Sequence, residues 1–261
     1  MAELEVCLFD VLRGVLCPVR DGDDIRVHTF VSEGPLEGSF RLTAARPFFV
    51  FELLRNVLER EGVSGSFVFH PRSSEHPVRE PFGDRERVHA GERDAPVRPG
   101  GREPAPPEPP HADSGPGIDV LLSGAGGLSH EASDPSPLLL SEAHERFGHS
   151  ALAVYMFSVH YSQPLRDPFP GLREAHACVE RIREVAFSLR AHESSPPGLR
   201  HHLDTFCLAL ARDLDTPLAL RALFEWLRAA ELREEPAGDG DLCEMLAMLG
   251  LDGVLEGGGA G

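Results

Sequence analysis

Two adjacent stretches decide the fold: ARPFFVFELLRNVLEREG at 45–62 and SFVFH at 66–70. In the first, apolar residues recur at the spacing of one helix face, a proline stands in the first turn, and Gly62 follows the end. The second is a short strand pattern, and RVHTFV at 26–31 is another, rich in β-branched and aromatic residues. Strand, helix, strand is the order of a βαβ unit, which predicts a parallel sheet, and IDVLLS at 118–123 predicts its third strand.

The C-terminal half has the periodicity of amphipathic helices, so the expected fold class is α/β followed by α. The predicted helices cover residues 141–161, 171–192, 198–212, 216–234 and 240–250. At the fourth of them, Thr216 and Pro217 are interpreted as a hydroxyl cap and a first-turn proline.

Residues 71–117 differ in composition from everything around them. The stretch is rich in proline, glycine and charge, and includes APPEPPH. Such a segment cannot offset its ordering entropy by burying apolar surface, which predicts a disordered or polyproline-like linker.

Charge and basic residue type exclude several functional classes. The 261 residues carry a net charge of -17, which argues against tight non-specific binding to DNA or RNA. Every basic residue is arginine, because the chain contains no lysine. Walker A loops, protein-kinase chemistry and Schiff-base chemistry each need a lysine, so all three are excluded.

The cysteines indicate neither a disulfide framework nor a zinc site, since their number is odd and no pair has CxxC spacing. They are Cys7, Cys17, Cys178, Cys207 and Cys243, and the last three are expected to be buried thiols on helices. Reduced thiols, acids at the start of the chain and the lack of a membrane-length apolar run predict a cytoplasmic protein with no membrane contact.

Three segments, in this order, carry a resemblance to a known family. They are AARPFFVFELLRNVLE at 44–59, ALAVYMFSVHYSQPLR at 151–166 and FCLALARDLDTPLALRALFEWLR at 206–228. Together they resemble cysteinyl-tRNA synthetase, a class I aminoacyl-tRNA synthetase, and its relative, the mycothiol-pathway cysteine ligase. The resemblance covers about residues 1–70 and 118–251. It implies a reduced Rossmann-like nucleotide-binding fold followed by a C-terminal helical bundle.

The resemblance also implies the division of the chain into parts. Expected are half of a Rossmann-like synthetase domain, a linker, a third strand with its connection, a bundle like the synthetase anticodon-stem domain, and a disordered tail. Their bounds are 1–70, 71–117, 118–170, 171–252 and 253–261.

Matched to the family's motifs, the chain lacks the groups that carry the chemistry. Ser32 stands at the family's zinc-binding cysteine, so no zinc or other metal is expected. The positions equivalent to the HIGH motif are Arg41, Leu42, Thr43 and Ala44. The positions equivalent to the KMSKS motif are Ser129, His130, Glu131, Ala132 and Ser133, without either lysine that would meet pyrophosphate. No catalytic residue and no cofactor are therefore expected.

Three functions remain open at this point. The first is a motif-degenerate paralogue that is catalytically inactive and binds a protein partner. The second is a residual ATP-dependent ligase that activates cysteine or another amino acid. The third is a tRNA-binding module, which the negative charge disfavours.

Other candidate chemistry is sparse. Arg41 and Arg46 are candidates for holding a phosphate, although an exposed or salt-bridged arginine is the commoner case. His201 and His202 lie beside Asp204, but adjacent histidines are expected to point in different directions on a helix.

Two further short motifs have a weaker chemical signal. His160 and Tyr161 are expected to fix the geometry of a loop. GAGG at 124–127 resembles a phosphate loop only superficially.

The predicted sheet has few helices to cover it, which predicts a stable protein partner or a homodimer. Side chains alternate along a strand, so apolar groups would lie on both faces of residues 66–70. An uncovered face or edge invites pairing with another chain. The alternative is that the helical bundle and a hairpin-like start, residues 4–20, close the sheet within one chain.

Overall fold

The computed structural model describes residues 5–10, 14–20, 23–30, 42–63, 66–71, 117–123, 138–165 and 167–256. Over these residues the chain is mostly helical and has two small sheets. The strands are β1 (Cys7–Asp10), β2 (Val15–Pro18), β3 (Asp24–Phe30), β4 (Ser66–Pro71) and β5 (Gly117–Ser123). The helices are α1 (Arg46–Arg60), α2 (Leu140–Phe157), α3 (Pro168–Ser188), α4 (Arg200–Ala211), α5 (Thr216–Glu231), α6 (Gly240–Met248) and α7 (Gly253–Glu256).

The chain starts with an antiparallel hairpin of β1 and β2, in which Phe9 lies opposite Leu16. Gly14 reverses the chain with φ 67°, a left-handed conformation that glycine adopts without a Cβ clash. Its N–H donates to the Asp10 carbonyl oxygen at 2.7 Å. The expected hairpin-like start is therefore present, and it buries Leu8 completely.

A second sheet has the strand order β4-β3-β5, with both pairings parallel. α1 connects β3 to β4, so the parallel order predicted from strand, helix and strand is confirmed. One face of α1 is buried, including Leu53, Leu54 and Leu58, because its apolar residues recur at helical spacing. β1 contacts β5, which places the hairpin beside that strand.

The predicted helices of the C-terminal half are all found, with ends that differ by a few residues. One start is corrected: Thr216 is the first residue of α5 and not its cap. The side chain of Asp215 caps the helix instead, accepting the Leu218 N–H at 3.2 Å. α2 has a kink at Gly148, whose φ and ψ of 78° and 163° are not helical.

The core is continuous from the sheets into the helices, and Trp226 and Phe206 are fully buried in it. α7 corrects the expected tail, which was predicted to be disordered from residue 253. Val254 in this short helix is only 1% exposed, so apolar burial extends beyond the predicted end of the core.

Ion pairs link α4 and α1 to α6, and we call them the Arg200 network. Arg200 Nη1 lies 3.3 Å from Asp241 Oδ1 and 3.8 Å from Glu244 Oε2. Arg60 donates to the same Glu244 carboxylate. The buried Asp241 also accepts the Trp226 indole N–H at 3.4 Å.

Of the linker predicted for 71–117, only the end residues are described: Pro71 closes β4 and Gly117 opens β5. Residues 72–116 lie outside the described part of the chain. Within the described part, no helix is long and apolar enough to cross a membrane.

Candidate functional site

The positions equivalent to the HIGH motif begin just before α1. Leu42, Thr43 and Ala44 lie in a 3-10 turn, Leu42–Ala45, that leads directly into the helix. The Leu42 N–H donates to the Leu138 carbonyl oxygen at 3.0 Å, and its side chain is buried. This turn is therefore joined to the chain that enters α2.

The other predicted site positions lie outside the part of the chain that the structure describes. Arg41 and Ser32 lie outside the described residues, as do Ser129, His130, Glu131, Ala132, Ser133 and the GAGG at 124–127.

Arg46 is where the structure departs most from the sequence interpretation. Only 1% of the residue is accessible, and no carboxylate among the described residues forms an ion pair with it. Its guanidinium donates to the backbone carbonyl oxygens of Val159, His160 and Gln163. Burial lowers the pKa of Arg46 to about 10, which still leaves it charged at neutral pH. A planar cation with several fixed donors can hold three carbonyls of one loop at once.

The loop that Arg46 holds, residues 158–165, is in turn bound to the turn between α4 and α5. The Tyr161 hydroxyl donates to Asp213 Oδ1 at 2.5 Å. The same oxygen accepts the Phe9 N–H at 2.8 Å, and the Asp213 N–H donates to the Cys7 carbonyl oxygen at 2.8 Å. We call this arrangement of Arg46, the loop and Asp213 the Arg46 joint.

Electrostatics and backbone geometry are both unusual at the joint. Burial, reinforced by the hydrogen bond to Asp213, raises the pKa of Tyr161 far above its ordinary value, so the phenol keeps its proton and donates. Asp213 and Leu214 have φ of 56° and 51°, in the left-handed region. For a bulky residue such as Leu214 this conformation costs energy, and it persists because the surrounding contacts fix it.

His160 is the second side chain of the loop that reaches Asp213. Its Nε2 lies 2.9 Å from the Asp213 carbonyl oxygen and 3.7 Å from the carboxylate Oδ2. Its Nδ1 lies 2.7 Å from the Ser162 hydroxyl oxygen. The expectation that His160 and Tyr161 fix the loop is confirmed, and Asp213 is the partner that the sequence did not reveal.

The histidine pair on α4 corrects another expectation. The rings of His201 and His202 do not point apart: their centroids are 3.8 Å from each other. His201 Nδ1 donates to the Gly198 carbonyl oxygen at 3.1 Å, because that oxygen can only accept. Asp204 forms an ion pair with Arg200 at 3.7 Å, so the supposed acid–base pair with the histidines is not assembled.

The five cysteines are free thiols. Of the three expected to be buried, only Cys207 is, and burial raises its pKa to about 11. Cys178 and Cys243 are half-buried. Among the described residues no three His, Cys, Asp or Glu side chains are grouped to hold a metal ion.

The described chain is a mostly helical protein with a small parallel sheet, in which a buried arginine of α1 holds the loop that follows α2. No protein-family model matches it. The cysteine–tRNA ligase of Parvibaculum lavamentivorans is 32% identical over 120 residues, 46% of this chain. That of Rubrobacter xylanophilus is 29% identical over 127 residues, 42% of this chain.

These similarities support a distant relationship to the cysteine–tRNA ligases. The matched parts amount to 25% and 26% of those proteins, so the chain spans about a quarter of the length of the curated relatives it matches.

The three segments that carry the resemblance converge on the Arg46 joint. Arg46 belongs to the first, the 158–165 loop to the second and Asp213 to the third. The residues that the sequence interpretation missed, Asp213 and Ser162, both lie inside these segments. An aspartate two residues before a helix cap, as in DLDTP, is the signal that marks the first of them.

Proposed function

We propose that this chain is a cysteinyl-tRNA synthetase-like protein that does not form aminoacyl adenylate and acts by binding a protein partner or a second copy of itself. The observation that carries the proposal is where along the chain the sequence resembles the synthetases and where it does not. The three segments whose sequences resemble the synthetases contribute the Arg46 joint, whereas the positions that the resemblance matches to the HIGH and KMSKS motifs hold other residue types.

In this proposal the parallel sheet with α1 corresponds to a reduced Rossmann-like fold, and α2 to α6 correspond to the synthetase helical bundle. The 3-10 turn with Leu42, Thr43 and Ala44 is then the remnant of the HIGH motif. At this turn the family has histidines and a glycine that allow a nucleotide to approach closely. A buried leucine offers phosphate no hydrogen-bond donor, and a β-branched threonine is bulkier than the glycine it replaces.

The absence of lysine from the sequence supports the same conclusion. Adenylate formation builds negative charge on pyrophosphate, and each missing cationic donor removes several kcal/mol of transition-state stabilisation, about 3 kcal/mol being typical. Glu131 at the KMSKS position adds a like charge instead. Ser32 in place of the zinc-binding cysteine removes a soft thiolate ligand.

Sheet topology supports the choice of a protein partner. β1 lies beside β5, and β4 is the outer strand on the other side of the three-stranded sheet. Among the described residues, no strand pairs with the free edge of β4. An open strand edge is a template for pairing with another chain.

ATP–pyrophosphate exchange with each amino acid tests the catalytic half of this proposal. We expect no exchange above background, cysteine included, with or without added zinc. Cysteine-dependent exchange that Arg41→Ala abolishes and Arg221→Ala preserves would establish the alternative, a residual amino-acid ligase. Arg221 is a matched control because its side chain is 74% exposed on α5.

Light scattering at micromolar concentration, with and without lysate fractions separated by charge, tests the association half. We expect a dimer or a defined complex. A monomer that shifts only when tRNA is added would favour the tRNA-binding alternative over a protein partner.

A further inference from the structure

The Arg46 joint contains a serine, a histidine and a carboxylate in the order used for nucleophilic catalysis, outside the turn that resembles the HIGH motif. Ser162 Oγ lies 2.7 Å from His160 Nδ1. The opposite ring nitrogen of His160 lies 2.9 Å from the Asp213 carbonyl oxygen and 3.7 Å from Asp213 Oδ2. A nucleophile, a base within hydrogen-bond reach and a group that orients the base are the parts of an activated serine.

The hydrogen bonds fix the tautomer of the neutral histidine. A backbone carbonyl can only accept, so His160 Nε2 carries the proton that bonds Asp213. His160 Nδ1 is then the unprotonated nitrogen, and it accepts the hydrogen of the Ser162 hydroxyl. The ring is therefore held as a base directed at the serine.

Asp213 is held as firmly as the histidine. Its Oδ1 accepts from the Tyr161 hydroxyl and the Phe9 N–H, which leaves Oδ2 as the carboxylate oxygen near His160. When the ring takes up a proton from serine, this carboxylate stabilises the imidazolium that forms. The left-handed backbone of Asp213 and Leu214 is conformational strain of the kind that clusters at functional sites.

Solvent reaches the serine more readily than the residues that position it. Ser162 is exposed, whereas His160 is half-buried and Tyr161 is buried. An acyl donor can therefore reach the hydroxyl while the base stays in place.

We propose that Ser162 is a nucleophile activated by His160 and positioned through Asp213, and that it accepts an acyl group from small activated esters or thioesters. Ser162 Oγ bonds to the carbonyl carbon of the donor, and the bond from that carbon to the leaving oxygen or sulfur breaks. The hydroxyl proton passes to His160 Nδ1 and then to the leaving group. The products are an acyl ester on Ser162 and a free alcohol or thiol. This inference does not depend on the proposed binding function.

The test uses the full chain with p-nitrophenyl acetate and with a fluorophosphonate probe, followed by intact mass and peptide mapping. We expect one adduct, on Ser162, and its loss in Ser162→Ala. His160→Gln should slow labelling about 100-fold, the usual size of a general-base contribution. Ser158→Ala is the matched control, because Ser158 is an exposed hydroxyl of the same loop that donates to the Tyr155 carbonyl oxygen. It should label at the wild-type rate.

Asp213→Asn separates a positioning role from a merely structural one. We expect it to lower the maximal acetylation rate and to leave the KM for p-nitrophenyl acetate unchanged, whereas a collapsed loop would alter both. Wild-type labelling no faster than that of Ser162→Ala, or adducts spread over other residues, would overturn the proposal. Equal labelling of wild type and His160→Gln would overturn it as well.

Discussion

The Arg46 joint and the Arg200 network both use an arginine to connect separate elements of the chain, yet they differ in the burial of that arginine and in the groups it contacts. Arg46 is 1% exposed and donates to three backbone carbonyls. The Arg200 side chain is 40% exposed and pairs with carboxylates. A buried cation without its acceptors is costly, while an exposed ion pair is screened by water. Stability should therefore depend far more on the buried Arg46 joint than on the Arg200 network.

Arg46→Met should produce the largest loss of stability in the molecule. It leaves three carbonyl oxygens of the 158–165 loop without their donor, and we expect a loss of about 3–5 kcal/mol in the free energy of unfolding. Urea denaturation followed by circular dichroism measures it.

The matched control is Arg55→Met in the same helix. The Arg55 side chain is 30% exposed and lies near Glu52 and Glu59, so its loss should cost no more than about 1 kcal/mol. Equal losses of stability in the two variants would show that an arginine bound to buried carbonyls contributes no more than one paired with exposed carboxylates.

The sequence predicted a region well where its interactions are local along the chain, and poorly where they join residues far apart in sequence. Helices, strands and their parallel order depend on local periodicity, so α1 and the C-terminal helices appeared close to their predicted positions. Arg46 and Asp213 act across gaps of 114 and 52 residues to His160 and Tyr161, which no local pattern reports. The α5 cap was misassigned because Asp215 and Thr216 are both capping residue types, and only the backbone decides between them.

Asp241→Asn should cause the second-largest loss. Asp241 is only 5% exposed and interacts with Arg200 and the Trp226 indole N–H. The amide loses the charge attraction and can present only one acceptor oxygen, so we expect a loss of about 1–3 kcal/mol by urea denaturation. Asp252→Asn on an exposed carboxylate serves as control and should be neutral. A neutral result for Asp241 would place the whole network among screened surface contacts.

Glu244→Gln should have a smaller effect that salt removes. The Glu244 side chain is 25% exposed and is shared by Arg60 and Arg200. Solvent screening limits such pairs to about 0–1 kcal/mol. We expect the difference from wild type to shrink between 0.05 M and 1 M NaCl, measured as the urea midpoint, because exposed charges are screened at high ionic strength. A difference that persists in 1 M NaCl would mean that the pair acts as a buried one.

The smallest expected effect is a change in the pH dependence of stability, and it concerns His149, which packs beside α1. The pKa shift of this histidine has the opposite direction to that of a histidine paired with a carboxylate. His149 stacks on Phe49, with ring centroids 5.3 Å apart. Burial lowers its pKa below 6.5; Glu52 opposes this shift and His144 adds to it. The unfolded chain therefore takes up the proton more readily, so stability falls as pH drops through 6.5.

His149→Phe keeps an aromatic ring on Phe49 but cannot titrate. We expect this variant to lose less stability than wild type between pH 7.5 and pH 5.5, by a few tenths of a kcal/mol to about 1 kcal/mol. If the stability of His149→Phe depends on pH as that of wild type does, packing against α1 does not lower the pKa of His149. The contrast with Arg46, which stays charged while its carbonyl acceptors surround it, would then fail.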